Sequence, residues 1–350
     1  MSDFSDRLLA WFDAYGRKDL PWQKARDPYR IWISEIMLQQ TQVQTVIPYY
    51  ERFMARFPDV QTLAEAPADD VLAHWSGLGY YARARNLHRA AQHIRDAHGG
   101  QLPRDFDAMI ELPGIGHSTA GAILALAFDD RHPILDGNVK RVLARHRAID
   151  GWPGKAAVLK QLWDVADAET PTQRVADYTQ AIMDLGAMVC VRSRPLCEAC
   201  PVSTDCQART EGAIERYPGR KAKKDKPLKK TTMVLAVSDN SVFLERRPEA
   251  GIWGGLWSLP EVSDVDAWCQ QVLNHADNEP QEWATFRHSF SHYDLDIRPV
   301  LVRIADSSRT VADNADATWY RIDEAPPGGI AAPVEKLLNT LRAEQHESHR

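Results

Sequence analysis

The chain is predicted to fold as an α-rich domain followed by an α+β domain, and three observations predict it. Its 350 residues exceed twice a typical domain of about 150, so each part has enough chain to bury its own core. Apolar residues recur at three- and four-residue spacing through the N-terminal part, whereas extended, turn-bounded stretches follow residue 231. Between them lies Tyr217-Pro-Gly-Arg-Lys-Ala-Lys-Lys-Asp-Lys-Pro-Leu-Lys-Lys230, a lysine-rich run without apolar period. It reads as a linker over 213–230, and its charge also suits contact with phosphate.

Taken in order, the helical candidates are Asp6–Tyr15, Tyr29–Tyr50, Tyr80–His98, the apolar Thr119–Phe128 and Asn138–Ile149. Strands are expected over Thr231–Val237 and Val242–Glu245, joined by the turn Ser238-Asp-Asn-Ser241, and again over Leu295–Ile304. With 44% hydrophobic and 26% charged residues, a disordered, collagenous or disulfide-knotted chain is excluded. The longest apolar run is too short to cross a bilayer. The first twenty residues carry Asp3, Asp6, Arg7, Asp13, Arg17, Lys18 and Asp19, unlike a secretory leader. A cytoplasmic, membrane-free monomer is the expectation.

Charge is divided unevenly. Residues 1–230 hold 32 basic and 29 acidic side chains and residues 231–350 hold 10 and 19, so a net −6 separates into +3 and −9. Within 190–230, 11 basic residues face 5 acidic ones, an excess that could meet a polyanion such as nucleic acid.

Four of the five cysteines, Cys190, Cys197, Cys200 and Cys206, fall in the pattern C-x6-C-x2-C-x5-C. Thiols this crowded in a chain expected in a reducing compartment point to a metal site. Zinc and a four-iron, four-sulfur cluster both accept four thiolates, and the spacing does not choose between them. Cys269 stands alone and is expected to be a small buried residue.

Leu112-Pro-Gly-Ile-Gly-His-Ser118 places Gly114 and Gly116 directly before an apolar helix. Such a turn exposes successive N–H groups at a helix start, a nest for a phosphate oxygen, although tight helix connections use glycine anyway. From Ile31 to Tyr50 the one ionisable Asp, Glu, Lys, Arg or His is Glu35. A carboxyl amid that much apolar surface should hold its proton, as a general acid must, unless it snorkels outward. Gln39 and Gln42 are expected on the same helix face as Glu35.

Asp136 precedes a helix and reads as an N-cap for the amide of Asn138 or Val139, a setting that favours the ionised carboxylate. A neutral Glu35 and a charged Asp136 would be the pair that glycosidic cleavage needs, one protonating the leaving group and one facing the sugar cation. Lys140, one turn on, reads first as an ion-pair partner of Asp136 and second as a phosphate ligand.

The hairpin, an aspartate 20 residues beyond its second glycine, and the four-cysteine loop together resemble the helix-hairpin-helix DNA glycosylases of the endonuclease III family. Leu38-Gln-Gln-Thr-Gln42, Gly77-Leu-Gly-Tyr-Tyr-Ala-Arg-Ala-Arg-Asn-Leu87 and Leu135-Asp-Gly-Asn-Val-Lys-Arg-Val-Leu143 resemble, more narrowly, the MutY-type adenine DNA glycosylases. The resemblance implies a helix-hairpin-helix glycosylase domain over 1–212, with a 4Fe-4S cluster on the loop 190–206, and a Nudix-like mismatch-recognition domain over 231–345. It implies double-stranded DNA as partner, with adenine excised opposite 8-oxoguanine or guanine and nucleoid association during repair. Glu35 would be the general acid, Asp136 the stabiliser of the sugar cation or its adduct, and Gln40 and Tyr80 the side chains that enter the base stack.

Bifunctional members of that family carry a nucleophilic lysine in the hairpin where this chain has Ser118, which cannot form a Schiff base, so a monofunctional glycosylase is expected. In the C-terminal part, Gly251-Ile-Trp-Gly-Gly-Leu-Trp-Ser-Leu-Pro-Glu261 resembles a Nudix domain, but the following residues lack the R-E-x-x-E-E magnesium helix. Recognition without hydrolysis is therefore expected, with Phe290, Ser291 and His292 reading 8-oxoguanine. The alternatives are an endonuclease III-like glycosylase and strand-cutting lyase, a nucleotide pyrophosphatase, and a noncatalytic DNA-binding iron–sulfur protein.

Overall fold

The computed structural model describes residues 3–222, 225–273, 280–304 and 316–348. In chain order the helices are α1 (Asp3–Tyr15), α2 (Pro28–Leu38), α3 (Val43–Arg56), α4 (Val60–Glu65), α5 (Ala68–Trp75), α6 (Ala82–Ala97), α7 (Phe106–Glu111), α8 (His117–Phe128), α9 (Gly137–His146), α10 (Ala156–Glu169), α11 (Val175–Asp184), α12 (Gln207–Thr210), α13 (Val265–Trp268) and α14 (Ala332–Ser348). The chain forms two compact units. One joins Met1–Glu65 to Asn86–Lys223, and the other joins Ala66–Arg85 to Lys224–Arg350.

In the first unit, α1 buries Phe4, Leu8, Leu9 and Phe12 against Leu143 of α9, Leu162 of α10 and Ala181 of α11. Each such apolar side chain contributes about 1.5–3 kcal/mol by leaving water. Small residues bring elements close. A Cβ on Gly121 of α8 would lie 2.7 Å from the Pro133 carbonyl, and one on Gly186 would lie 2.6 Å from the Asn138 Cβ.

The stretch Tyr29–Tyr50, expected to be one helical run, is two helices. Gln39 takes ψ 111° and Gln40 a left-handed φ of +59°, which ends α2 before Gln42 caps α3. The apolar spacing carries across the break because both helices bury a face in the same unit. Gln39 and Gln42 therefore do not share a helix face with Glu35.

The second unit is built on β1 (Leu228–Ser238), β2 (Ser241–Arg246), β3 (Trp257–Ser258), β4 (Glu261–Val262), β5 (Gln281–Glu282), β6 (Phe286–Ser289), β7 (Asp294–Arg303) and β8 (Ala317–Arg321). Strand order is β3-β2-β1-β7-β5, with β4 on β1, β6 on β7 and β8 on β2. β1 and β7 run parallel from Leu228↔Asp294 to Val237↔Arg303, and the predicted turn after Ser238 joins β1 to β2 antiparallel. Val234, Ala236, Phe243, Val300, Val302 and the buried Cys269 form the core on one face.

The packed units and the stretches read from sequence divide the chain differently in two places. β1 begins at Leu228, inside the stretch read as linker, because pairing with β7 supplies the order that composition does not reveal. Residues 66–85, read as part of the glycosylase domain, pack within the second unit. No helix among the described residues is long and apolar enough to cross a membrane.

Candidate active site

Asp27 caps α2 by accepting the Arg30 N–H at 3.1 Å, and Pro28 begins the helix with φ already set. Ile31, Trp32, Ile33, Ser34, Ile36 and Met37 are buried, so the helix is apolar on most sides. Glu35 points into a cleft of about 950 Å³, which is also lined by Arg17, Trp22, Gln40, Ser118, Asp136 and Gln180. The cleft opens onto Glu35 and leaves it half-buried, yet protein crowds the carboxyl. Burial, assisted by the charge of Asp136, pushes its pKa up to about 8.

The hairpin lies between α7 and α8. Gly114 takes φ +82°, and a Cβ there would stand 2.8 Å from the Asn86 Cβ, so glycine is required by both conformation and space. Gly116 is extended and occupies the N-cap of α8 without a side chain to satisfy the first N–H groups of that helix. Ser118, on that first turn, accepts the Leu135 N–H at 2.9 Å through its Oγ. The hydroxyl thus fixes the segment leading to Asp136.

Asp136 caps α9 and accepts the Val139 N–H at 2.7 Å, one of the two amides expected. Burial raises its pKa from the usual carboxylate value, and the Val139 and Asn138 amides, Arg141 and Lys140 pull against that rise. This corrects the expectation that the cap setting favours the ionised carboxylate, because burial outweighs the donors. Lys140 acts on Asp136 through its field; among the described residues the two make no close ion pair. The acids are nonetheless unequal. Four groups favour the Asp136 anion, and among the described residues none favours that of Glu35.

Sequence reading missed the arginines of α9. Arg141 donates to the carbonyls of Cys190 at 2.7 Å and Gly186 at 2.6 Å. Arg145 is buried and donates to Val191 O at 2.7 Å, Arg192 O at 3.0 Å, Tyr217 O at 3.1 Å and Cys190 Sγ at 3.4 Å. Their four-residue spacing on an otherwise amphipathic helix was the available signal. Another omission is Arg17, whose guanidinium and backbone N–H bind the fully buried Asp184 at 2.5–2.9 Å beside the cleft.

All four clustered cysteines line one small cavity with Arg145, Leu196, Arg209 and Ile214. Burial and mutual repulsion raise the thiols of Cys197 and Cys206, and raise Cys200 to about 11, so a thiolate-binding group must displace their protons. Among the described residues, no three His, Cys, Asp or Glu side chains converge tightly enough to hold one metal ion. The four thiols share this small cavity. Four thiols on one cavity are a donor set that suits zinc or an iron–sulfur cluster, and Arg145 beside the Cys190 sulfur would offset thiolate charge.

In the second unit, the Phe290 N–H donates to Tyr293 O at 2.9 Å and Lys226 Nζ donates to Phe290 O at 2.7 Å, closing the loop that carries Ser291 and His292. The Phe290 ring lies 4.6 Å from His288, 5.2 Å from Trp253 and 4.7 Å from Tyr293, centroid to centroid. Trp253 and Tyr293 were not singled out from sequence. Tyr80, in the same unit, is 52% exposed at φ +49°. A non-glycine residue held left-handed with its ring in solvent is uncommon.

Two family models match the chain: the HhH-GPD superfamily of base excision DNA repair proteins over residues 33–168, and the NUDIX domain over 231–340. An adenine DNA glycosylase of Buchnera aphidicola is 38% identical over 342 residues, covering 97% of each chain. That of Rattus norvegicus is 32% identical, covering 99% of this chain and 78% of the relative. Among solved structures, a thermostable thymine-DNA glycosylase superposes with TM-score 0.53 and 28% identity over 59% of this chain and 95% of its own. An endonuclease III–DNA covalent intermediate, with TM-score 0.51 and 20% identity, shares the fold over 59% of this chain and 94% of its own.

Proposed function

Since this chain belongs to the adenine DNA glycosylases, we propose that it hydrolyses the N-glycosidic bond of adenine opposite 8-oxoguanine or guanine in duplex DNA, without cutting the strand. The observation that carries the chemistry is that Glu35, its pKa near 8, and Asp136 line the same cleft. Adenine leaves poorly as an anion. A neutral Glu35 within reach of the extruded purine donates the proton that makes it a neutral leaving group. Asp136, ionised while Glu35 holds the proton, faces the cationic sugar and stabilises it by charge or by a covalent adduct. Water completes the reaction, because Ser118 offers no amine.

Gly114, Gly116 and the start of α8 cradle a backbone phosphate, and Lys140 supplies charge beside it. Gln40 and Tyr80 enter the base stack while the adenine is extruded. Phe290, Ser291 and His292 read the base opposite adenine. Cys190, Cys197, Cys200 and Cys206 would hold a 4Fe-4S cluster, which when bound ties the loop 190–206 into one shape. The enzyme acts as a monomer on the chromosome within the cytoplasm.

The test is a single-turnover reaction on duplexes with A opposite 8-oxoguanine, G or T, analysed with and without alkali. Free adenine and strand breaks that appear only after alkali are expected. Breakage without alkali at the rate of base release overturns the monofunctional reading, and equal rates opposite T overturn the mispair reading.

A further inference from the structure

Residues 66–85 are held within the second unit by long-range bonds. The Arg246 guanidinium clasps the Asp69 carboxylate, Nη1 to Oδ1 at 2.8 Å. The Tyr81 hydroxyl donates to Ile330 O at 3.2 Å, and Arg85 Nη1 donates to Gly254 O at 2.6 Å. Glycine lets the backbones approach, since a Cβ on Gly329 would stand 3.0 Å from Leu72 Cβ.

Tyr80 therefore belongs to the same packed body as the Phe290 loop, and a short route joins them. Arg85, on the helix that follows Tyr80, grips the Gly254 carbonyl. The adjacent Trp253, at φ +56°, lays its ring 5.2 Å from Phe290 and 5.6 Å from His288. The Tyr80 turn is braced on its own side. Arg83 Nη2 donates to Leu78 O at 3.3 Å and Gly79 O at 3.2 Å, and Trp75 Nε1 donates to Gly79 O at 3.2 Å. Both ends of the route are hydrogen-bonded, the Tyr80 turn through Arg83 and Trp75 and the Phe290 loop through Lys226.

We infer that Arg85 and Trp253 are positioning residues that join the Tyr80 turn and the Phe290–His292 loop into one reading head, so that sensing the base opposite adenine and wedging the stack are a single event. The inference rests on the roles given above to Tyr80 and Phe290. Arg85→Ala deletes a charged hydrogen bond, and Trp253→Ala deletes the ring under Phe290. Either should cut the preference for A:8-oxoguanine over A:G by about tenfold, and Arg85→Lys and Trp253→Phe should restore most of it.

The experiment measures that ratio by single turnover on the full-length, cluster-containing protein, alongside amide hydrogen exchange. Arg85→Ala should raise exchange both at 77–81 and at 290–293. Combined with Phe290→Ala, it should lower the ratio by less than the product of the two single effects. Equal wild-type rates opposite T defeat the proposed function, whereas wild-type protein that releases adenine without preferring 8-oxoguanine over G leaves that function standing and exchange then decides the coupling alone. Wild-type preference kept in both alanine variants, equal slowing on both duplexes, or faster exchange in only one segment overturns the inference.

Discussion

Asp136 raises the proton affinity of Glu35 although the two are 101 residues apart in the chain, because both line one cleft and burial strips each carboxyl of solvent. Asp136 has compensating donors in the Val139 and Asn138 amides. Among the described residues Glu35 has none, so its carboxyl holds its proton more tightly. An acid and an anion arise from two similar side chains through the difference in their hydrogen-bonding surroundings.

Glu35→Gln should abolish base release, a loss of at least about 10²–10⁴-fold, while duplex binding persists. The wild-type single-turnover rate should fall as pH rises above about 8, where Glu35 loses its proton. On the acid side it should fall as Asp136 is protonated, at a pH above the usual 3.8. A flat rate from pH 7 to pH 10 contradicts the assignment.

The same substitution should stabilise the fold. Folding lifts the Glu35 pKa from 4.5 to about 8, so its contribution is most favourable below about pH 4.5 and is lost as pH rises to about 8. Glutamine carries no such loss, and Glu35→Gln should gain on the order of 2–3 kcal/mol at neutral pH and nothing near pH 4. Thermal melts across this range check it, and a constant difference counts against a buried acid.

Asp136→Asn retains a good cap for α9, so its Tm should stay near that of the wild type while the rate falls by about 10²–10³-fold through lost charge. If melting temperature and rate fall together, Asp136 is chiefly a structural cap.

Ser118→Ala leaves the Leu135 N–H without its acceptor and should cost about 1 kcal/mol of stability, with base release nearly unchanged. A rate loss of about tenfold or more, equivalent to 1.4 kcal/mol of barrier, would give Ser118 a part in the chemistry.

Wild-type protein should be brown and hold about four irons per chain, and Cys200→Ser should lose both together with salt-sensitive duplex binding. Metal analysis and absorbance decide this, and stoichiometric zinc in colourless protein would replace the iron assignment.

Features confined to a few consecutive residues were legible in the sequence. The Asp136 cap bonds three residues ahead, the hairpin glycines serve their own turn, and the cysteine loop spans 17 residues, so each pattern carries its own geometry. Helices α1, α6, α8 and α9 and strands β1, β2 and β7 likewise follow from local apolar periods. Long-range partners were not legible. Arg246 meets Asp69 across 177 positions and Arg145 meets Tyr217 across 72, and no local period encodes which distant carbonyl or carboxylate a guanidinium will find.

Sequence alone thus determined the two kinds of fold, the thiol donor set and the pair of carboxylates. Tertiary structure decided that Glu35 keeps its proton, that Ser118 braces the approach to Asp136, and that residues 66–85 pack with the C-terminal unit. A hydrogen bond to a near neighbour is written in the spacing of residues. Desolvation and long-range ion pairing depend on where the chain returns, and only the packed molecule specifies that.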